Sequence, residues 1–465
     1  MTAVIKGGTV VTASDTFEAD VWIDNGRVAA LVAPGTSLGT PQKTIDATGK
    51  YVIPGGIDCH THMEMPFGGT TASDDFETGT IAAAHGGTTT IVDFAIQSKG
   101  SSMRAGLDAW HQKAESKAAI DYGFHMIMTE ATPSTLDDMA AMVREGVTSF
   151  KMFMAYPGVF LVDDQQIFKA MLRAGELGAL ITMHAEIGLP IDVLIQRALA
   201  AGHTAPINHA LTRPEVAEAT GTERAIALAE MAKVPVYMVH LSAQRALERV
   251  MEARDRGLPT YAETCPQYLF LDEDALRGDP GNEFKGAGFV ATPALRKKHH
   301  HEHLWRGLRN YDLQVVATDH CPFCMKDQKA LGVNDFSKIP NGMPGVETRL
   351  HLLWEGVTQG KISMNRFVEI TSTAPAKIFG MYGKKGVIAP GADADIVVWD
   401  PKREKKLGID TLHMRIDYSP FEGHVVPGSP SHVLSRGEVI VENDKWVGQP
   451  PKGRGRFIKR GTFSL

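Results

Sequence analysis

Short runs of β-branched and aromatic residues open and close this chain, while longer alternations of strand-like and helix-like pattern fill its middle. Near the start, residues 4–12 and 21–24 read as strands and are followed by Asn25-Gly26 and a third run over 27–32. Asn-Gly between apolar runs is a tight-hairpin signal, because both central residues of that turn take positive φ. The end of the chain has the same texture. Residues 394–399 form a β-rich run closed by Asp400-Pro401, 433–434 and 439–442 flank Arg436-Gly437, and Asn443-Asp444 makes the next turn. Strand-rich ends around a different middle predict a small β-sandwich domain formed by both chain ends, residues 1–52 and 378–465, with a domain of residues 53–377 inserted between them.

In the middle, eight apolar β-type runs occur at 51–57, 88–94, 120–126, 148–154, 179–184, 234–240, 260–264 and 313–319. Amphipathic stretches with helical spacing, such as 164–177, 223–232 and 243–256, separate several of them. This alternation predicts an α/β fold, a (β/α)₈ TIM-type barrel. A doubly wound sheet is the alternative, but no Gly-rich phosphate loop follows any run.

Composition narrows the picture only by exclusion. A net charge of −6 over 465 residues, with no basic stripe, argues against a nucleic-acid partner. The N-terminus lacks a basic start followed by an apolar core, and no apolar run approaches the ~20 residues that cross a bilayer, so we expect a cytoplasmic protein without membrane contact. Cys321-Pro-Phe-Cys324 has metal-site spacing, but the remaining cysteines, Cys59 and Cys265, supply no second such pair, so we expect free thiols. The tract His299-His300-His301-Glu302-His303 reads as the solvated face of a helix.

The chemistry sits where the apolar runs stop. In a barrel of this kind catalytic groups come from the C-terminal strand ends. The first run leads into His60-Thr61-His62, whose two-residue spacing puts both imidazoles on one face of an extended chain. In the fourth, Ser149, Lys151 and Phe153 alternate with Phe150, Met152 and Met154. Lys151 has no carboxylate in its run. Burying an unpaired ammonium costs several kcal/mol, so the lysine is snorkelling, deprotonated or chemically altered. The fifth, sixth and eighth runs end at His184, His240 and Asp319. Together these residues suffice for two divalent metal ions, with nitrogen ligands from histidine and oxygen from aspartate.

His60-x-His62, Lys151, His184, His240 and Asp319 resemble, in order and strand position, the metal-site set of the amidohydrolase superfamily. Further blocks narrow the resemblance to its dihydropyrimidinase and hydantoinase family: residues 53–62, Ser149-Phe150-Lys151 with Tyr156, residues 263–268 and 318–323, Ile339-Pro340-Asn341-Gly342 with Gly345-Val346-Glu347, and residues 391–395. The resemblance implies that Lys151 is carboxylated by CO₂ and bridges two metals, expected to be zinc. His60, His62 and Asp319 would hold one metal, and His184 and His240 the other. It also implies a homotetramer and a small cyclic amide or ureide substrate, a dihydropyrimidine or hydantoin opened to an N-carbamoyl amino acid.

Carried over by position, Tyr156 would hydrogen-bond the developing oxyanion, and Asp319 would move the proton from water to the leaving nitrogen. The Asn341 backbone would hold the ring imide. Thr292 stands where the family shows a ring-contacting serine, and its added methyl could shift the substrate. Met63, Met65, Phe153 and Phe160 lie where a ring substituent would point. Allantoinase or dihydroorotase would need a basic residue toward the substrate, and none is assignable from the sequence. A phosphotriesterase-like hydrolase would keep the metals and change the substrate. A non-catalytic scaffold of the same fold would have lost metal ligands, and here every one is present.

Overall fold

Asn25 and Gly26 take φ of 49° and 78°, and the turn lays Thr16–Asp24 antiparallel to Arg27–Val32. In the computed structural model, which describes residues 2–463, this hairpin forms one edge of a nine-stranded sheet. From the other edge the order is Lys445–Trp446, Glu438–Glu442, Ser429–Ser435, Ile396–Asp400, Tyr51–Pro54 and Ala3–Val11, with Lys43–Asp46 also beside Ala3–Val11. The chain ends are stitched together where Ile396–Asp400 runs antiparallel to Tyr51–Pro54. Ile5, Val21, Val52, Ile396, Val398 and Leu434 bury their side chains in an apolar cluster of this sheet's own. Each such burial is worth about 1.5–3 kcal/mol.

The apolar run 51–57 is not one barrel strand. Tyr51–Pro54 belongs to the terminal sheet, and the first barrel strand is Gly56–Thr61. The break is steric. A Cβ on Gly55 would lie 2.1 Å from Thr89 Oγ1, and one on Gly56 would meet the Arg349 guanidinium at 2.9 Å. Only bare backbone passes between these neighbours, so the chain steps here from one sheet to the other.

The other barrel strands are Thr88–Ile96, Asp121–Ile127, Ser149–Phe153, Leu180–His184, Val236–Met238, Thr260–Thr264 and Val315–Val316, all parallel and adjacent in chain order. Helices such as Asp164–Leu177, Glu215–Ala232 and Gln244–Asp255 return the chain between them. The sixth and eighth strands are shorter than the predicted runs, and beyond their ends His240 and Asp319 adopt left-handed backbone (φ 41° and 54°), which does not continue a pleat. Side chains therefore help to close the barrel. Thr318 Oγ1 donates to Asp58 Oδ2 at 2.6 Å, and the buried Arg349 donates to Ile57 O and Val316 O at 2.8 and 3.0 Å.

Alternation along the fourth strand is as predicted: Phe150 and Met152 pack into the core outside the strands, while Lys151 and Phe153 face the barrel mouth. In the histidine tract His299 and Glu302 are exposed as expected, and His300 is a correction. His300 is buried, accepts the Gln244 N–H at 3.0 Å and lies 3.3 Å from Glu215, so it caps the helix Gln244–Asp255 instead of facing solvent. Among the described residues, no helix is long and apolar enough to cross a membrane.

The C-terminal tail runs beneath the barrel, where Ile458 N donates to Tyr122 O at 2.7 Å. Beside it, buried Lys385 ties the third barrel strand to the terminal sheet, reaching Asp121, Asp395 and Asp393 at 2.6, 2.7 and 3.0 Å. Lys385→Met would leave Asp393 and Asp395 without their cation, while Asp121 keeps its ion pair with Arg436. It should lower stability by about 3–5 kcal/mol, read as a lower denaturant midpoint with unchanged metal content. An unchanged midpoint would show that this joint does not hold the two sheets together.

Candidate metal centre

His60 and His62 leave the first barrel strand on the same side, and their Nε2 atoms approach Asp319 Oδ1 to 3.2 and 3.1 Å. Across the mouth, Lys151 Nζ lies 2.9 Å from His60 Nε2, and His184 Nδ1 lies 3.0 Å from His240 Nε2. The His60 and His240 rings stack at 5.3 Å, so the two groups of ligand-type atoms share one space. The structure thus brings together all six residues singled out as ligands, each from the end of a different strand except the first pair.

The protonation chemistry of this set fits cations. Glu263 contacts His60 Nδ1, which turns the His60 Nε2 lone pair toward the Asp319 carboxylate. A bare lone pair there would repel the carboxylate, so either a proton on Nε2 or a cation must lie between them. Burial and the Lys151 ammonium disfavour a charged His60, yet the Glu263 and Asp319 carboxylates outweigh them and raise its pKa. Burial likewise works to raise Asp319, but His60 and the hydrogen bonds from both imidazoles hold it well below the usual carboxylate range. Burial lowers His62 to about 4 and drives His240 well below its usual value, so both are neutral. Neutral imidazole is the form that ligates metal. His62 Nδ1 and His240 Nδ1 are buried with no partner among the described residues, an uncompensated polarity that marks a site shaped for something else. His60, His62 and Asp319 could hold one cation, and their ligand atoms lie within 4.8 Å of one another.

Two carboxylates that aim the ligands are absent from the predicted set. Glu263 also accepts from Tyr237 Oη at 2.8 Å, and Glu186 accepts from His184 Nε2 at 2.9 Å. Both left a trace in the sequence. Glu186 follows His184 at same-face spacing, and Glu263 is an acid within the run 260–264.

The cleft beside these residues is lined also by Met65, Phe67, Phe153, Tyr156, Phe160, Thr292, Asn341 and Cys321. Burial pushes the Tyr156 hydroxyl up to about 12 against the hydrogen bonds of Thr292 and Asn341, so it stays protonated and can donate. Asn341 Nδ2 donates to Thr292 Oγ1 at 2.8 Å. Phe160 stacks on Phe153 at 4.9 Å and on Phe67 at 6.3 Å, making an aromatic wall that includes Phe67, a residue not predicted. Met63 is a correction: it is fully buried in the core against Gly79 and does not line the cleft. Cys321 and Cys324 are free thiols. Arg213, which the sequence reading did not single out, lines the outer cleft near Tyr156, with its guanidinium on His209 O at 3.2 Å.

Tyr156, like His240 and Asp319, has left-handed backbone (φ 62°). For residues with a Cβ that conformation costs about 1–2 kcal/mol each.

Comparison with known proteins places the chain among its relatives. The model of the Amidohydrolase family matches residues 51–440. A D-hydantoinase of Streptomyces coelicolor is 58% identical over 99% of this chain and 98% of that protein. A D-hydantoinase of Geobacillus stearothermophilus is 50% identical over 100% of this chain and 97% of its own length. The crystal structure of a dihydropyrimidinase from Brevibacillus agri superposes with a TM-score of 0.97 at 51% identity, covering 100% of both chains. Family members of this kind use divalent metal, and the paired ligand groups at the barrel mouth are consistent with that. On the extent of these matches, the chain belongs to the amidohydrolase family.

Proposed function

We propose that this protein hydrolyses the ring amide of hydantoins and dihydropyrimidines, breaking the C–N bond to leave a carboxylate and a free ureido group: an N-carbamoyl amino acid. The observation that carries this reading is the convergence of His60, His62, Lys151, His184, His240 and Asp319 beside Tyr156 and Asn341, in a chain 58% identical to a D-hydantoinase. The names of the relatives favour 5-substituted hydantoins of the D series. We also propose residues 53–377 as the catalytic unit, 1–52 with 378–465 as the β-unit, a homotetrameric assembly and a cytoplasmic location.

His60, His62 and Asp319 would hold one zinc ion and His184 and His240 a second, with carboxylated Lys151 shared between them. When bound, the two cations lower the pKa of water toward ~7 and polarise the scissile carbonyl. Asp319 then takes the proton of the attacking water and returns it to the ring nitrogen, which leaves poorly unless protonated. The Tyr156 hydroxyl donates to the oxyanion that forms on the carbonyl oxygen. Thr292 and Asn341 hold the imide, and Met65, Phe153 and Phe160, with Phe67, enclose the ring substituent.

Carboxylation of Lys151 is supported by its surroundings. Burial lowers its pKa to about 8, which makes the neutral amine accessible. That amine adds to CO₂ with loss of one proton, giving an anion with two ligand oxygens where an ammonium would repel the cations.

A panel of dihydrouracil, dihydrothymine, hydantoin and 5-substituted hydantoins tests the activity directly, with metal measured on the same batch. His60→Ala should lose metal and turnover together; a variant that keeps both would remove the first-strand pair from the site. Lys151→Arg should be inactive, because guanidinium cannot form the adduct, while Lys151→Ala should regain part of its rate with a short carboxylic acid in the buffer. Near-native kcat in Lys151→Arg would exclude carboxylation. Phe160→Ala should change the kcat/KM ratio between bulky and unsubstituted rings by an amount equivalent to ~1–3 kcal/mol. An unchanged ratio across the panel would remove Phe160 from the substituent pocket.

A further inference from the structure

Lys329 is fully buried in the long segment after the eighth strand, and among the described residues no carboxylate forms an ion pair with it. Its Nζ lies 2.7 Å from Pro340 O, 2.8 Å from Gly342 O and 3.0 Å from Val290 O, three acceptors that favour the ammonium against burial, which lowers its pKa to about 7. An ammonium has three N–H donors, so these three bonds exhaust it. Taking a charge out of water costs several kcal/mol, which makes a buried lysine an expensive way to satisfy carbonyls unless their arrangement matters.

The arrangement it imposes concerns the cleft. Pro340 and Gly342 flank Asn341, so the lysine fixes the peptide on either side of that residue. Val290 lies two residues before Thr292, and Gly342 N also donates to Val290 O at 2.9 Å. Neither segment belongs to a sheet that would otherwise order its carbonyls. With both segments drawn onto one ammonium, Asn341 Nδ2 reaches Thr292 Oγ1. The Asn341 carbonyl, between two that are turned to the lysine, accepts no hydrogen bond among the described residues.

We infer that Lys329 is a positioning residue for substrate: by gathering the carbonyls of Val290, Pro340 and Gly342 it holds Thr292 and the Asn341 backbone in the geometry that grips the ring. The inference rests on the proposed role of those two residues and adds a group that touches neither substrate nor metal. Removing the cation from this place predicts loss of substrate binding without loss of the metal centre.

The test is Lys329→Met, which keeps the volume and removes the donors. KM for hydantoin and dihydrouracil should rise about 10-fold or more with kcat within about threefold, the pattern of lost uniform binding. Metal content should equal that of the wild type. Lys329→Ala should show the same rise and recover part of it with methylammonium chloride, which a merely space-filling role would not produce. It also carries the test if Lys329→Met fails to fold. Wild-type KM in either soluble variant would overturn the inference, as would metal and kcat falling together or no response to methylammonium. Absence of turnover in the wild type would instead count against the activity itself, which the same assays report separately.

Discussion

Lone pairs and one carboxylate, held within hydrogen-bond distance in a buried cleft, can coexist only where positive charge is shared among them. His60 Nε2, His62 Nε2 and Asp319 Oδ1 meet in this way, and Glu263 behind His60 leaves its Nδ1 no other role. Much of the local structure serves that meeting. Glu263 and Glu186 fix which nitrogen of His60 and of His184 faces inward. The left-handed backbones of His240 and Asp319 turn those side chains off the ends of their strands. The electrostatics therefore explain the strain, and the barrel supplies the rigidity that sustains it.

The barrel separates these demands in space. Its mouth carries irregular segments, unpaired polar atoms and positive φ. Its base is held by ionic and backbone contacts. Arg349 bridges the first and last strands there, Lys385 binds three carboxylates, and Arg460 donates to Ser149 Oγ at 2.9 Å. The terminal sheet and the tail add to this base, so the chain ends contribute stability far from the chemistry.

Much of this was legible in the sequence because it is local. Period-two alternation in 148–154 separated Lys151 from Met152, and same-face spacing paired His60 with His62. What was not legible depends on neighbours distant in the chain. The step between sheets at Gly55-Gly56 is dictated by Thr89 and Arg349, and the fate of His300 by Gln244 and Glu215. Met63 is one residue from His62, yet it turns into the core because Gly79 leaves room for it. Glu263 becomes significant only once the first and seventh strands are curled toward one another.

Three of the buried lysines show how the same side chain is accommodated under different surroundings. Lys385 faces three carboxylates, an arrangement that favours the ammonium outright. Lys329 faces three carbonyls, which match its donors in number without matching its charge. Lys151 has neither. Its hydrogen-bonding contact among the described residues is one imidazole nitrogen, and the rings of Phe94 and Phe153 lie 4.4 and 5.1 Å from its Nζ. An ammonium so placed leaves two of its three donors without an acceptor, beside imidazoles suited to cations. The protein satisfies a buried lysine fully in two other places, so the deficit at Lys151 is specific to that position. A carbamate removes the unsatisfied donors and reverses the sign of the charge in one step, which is why the proposed modification resolves there what neither carboxylates nor carbonyls resolve.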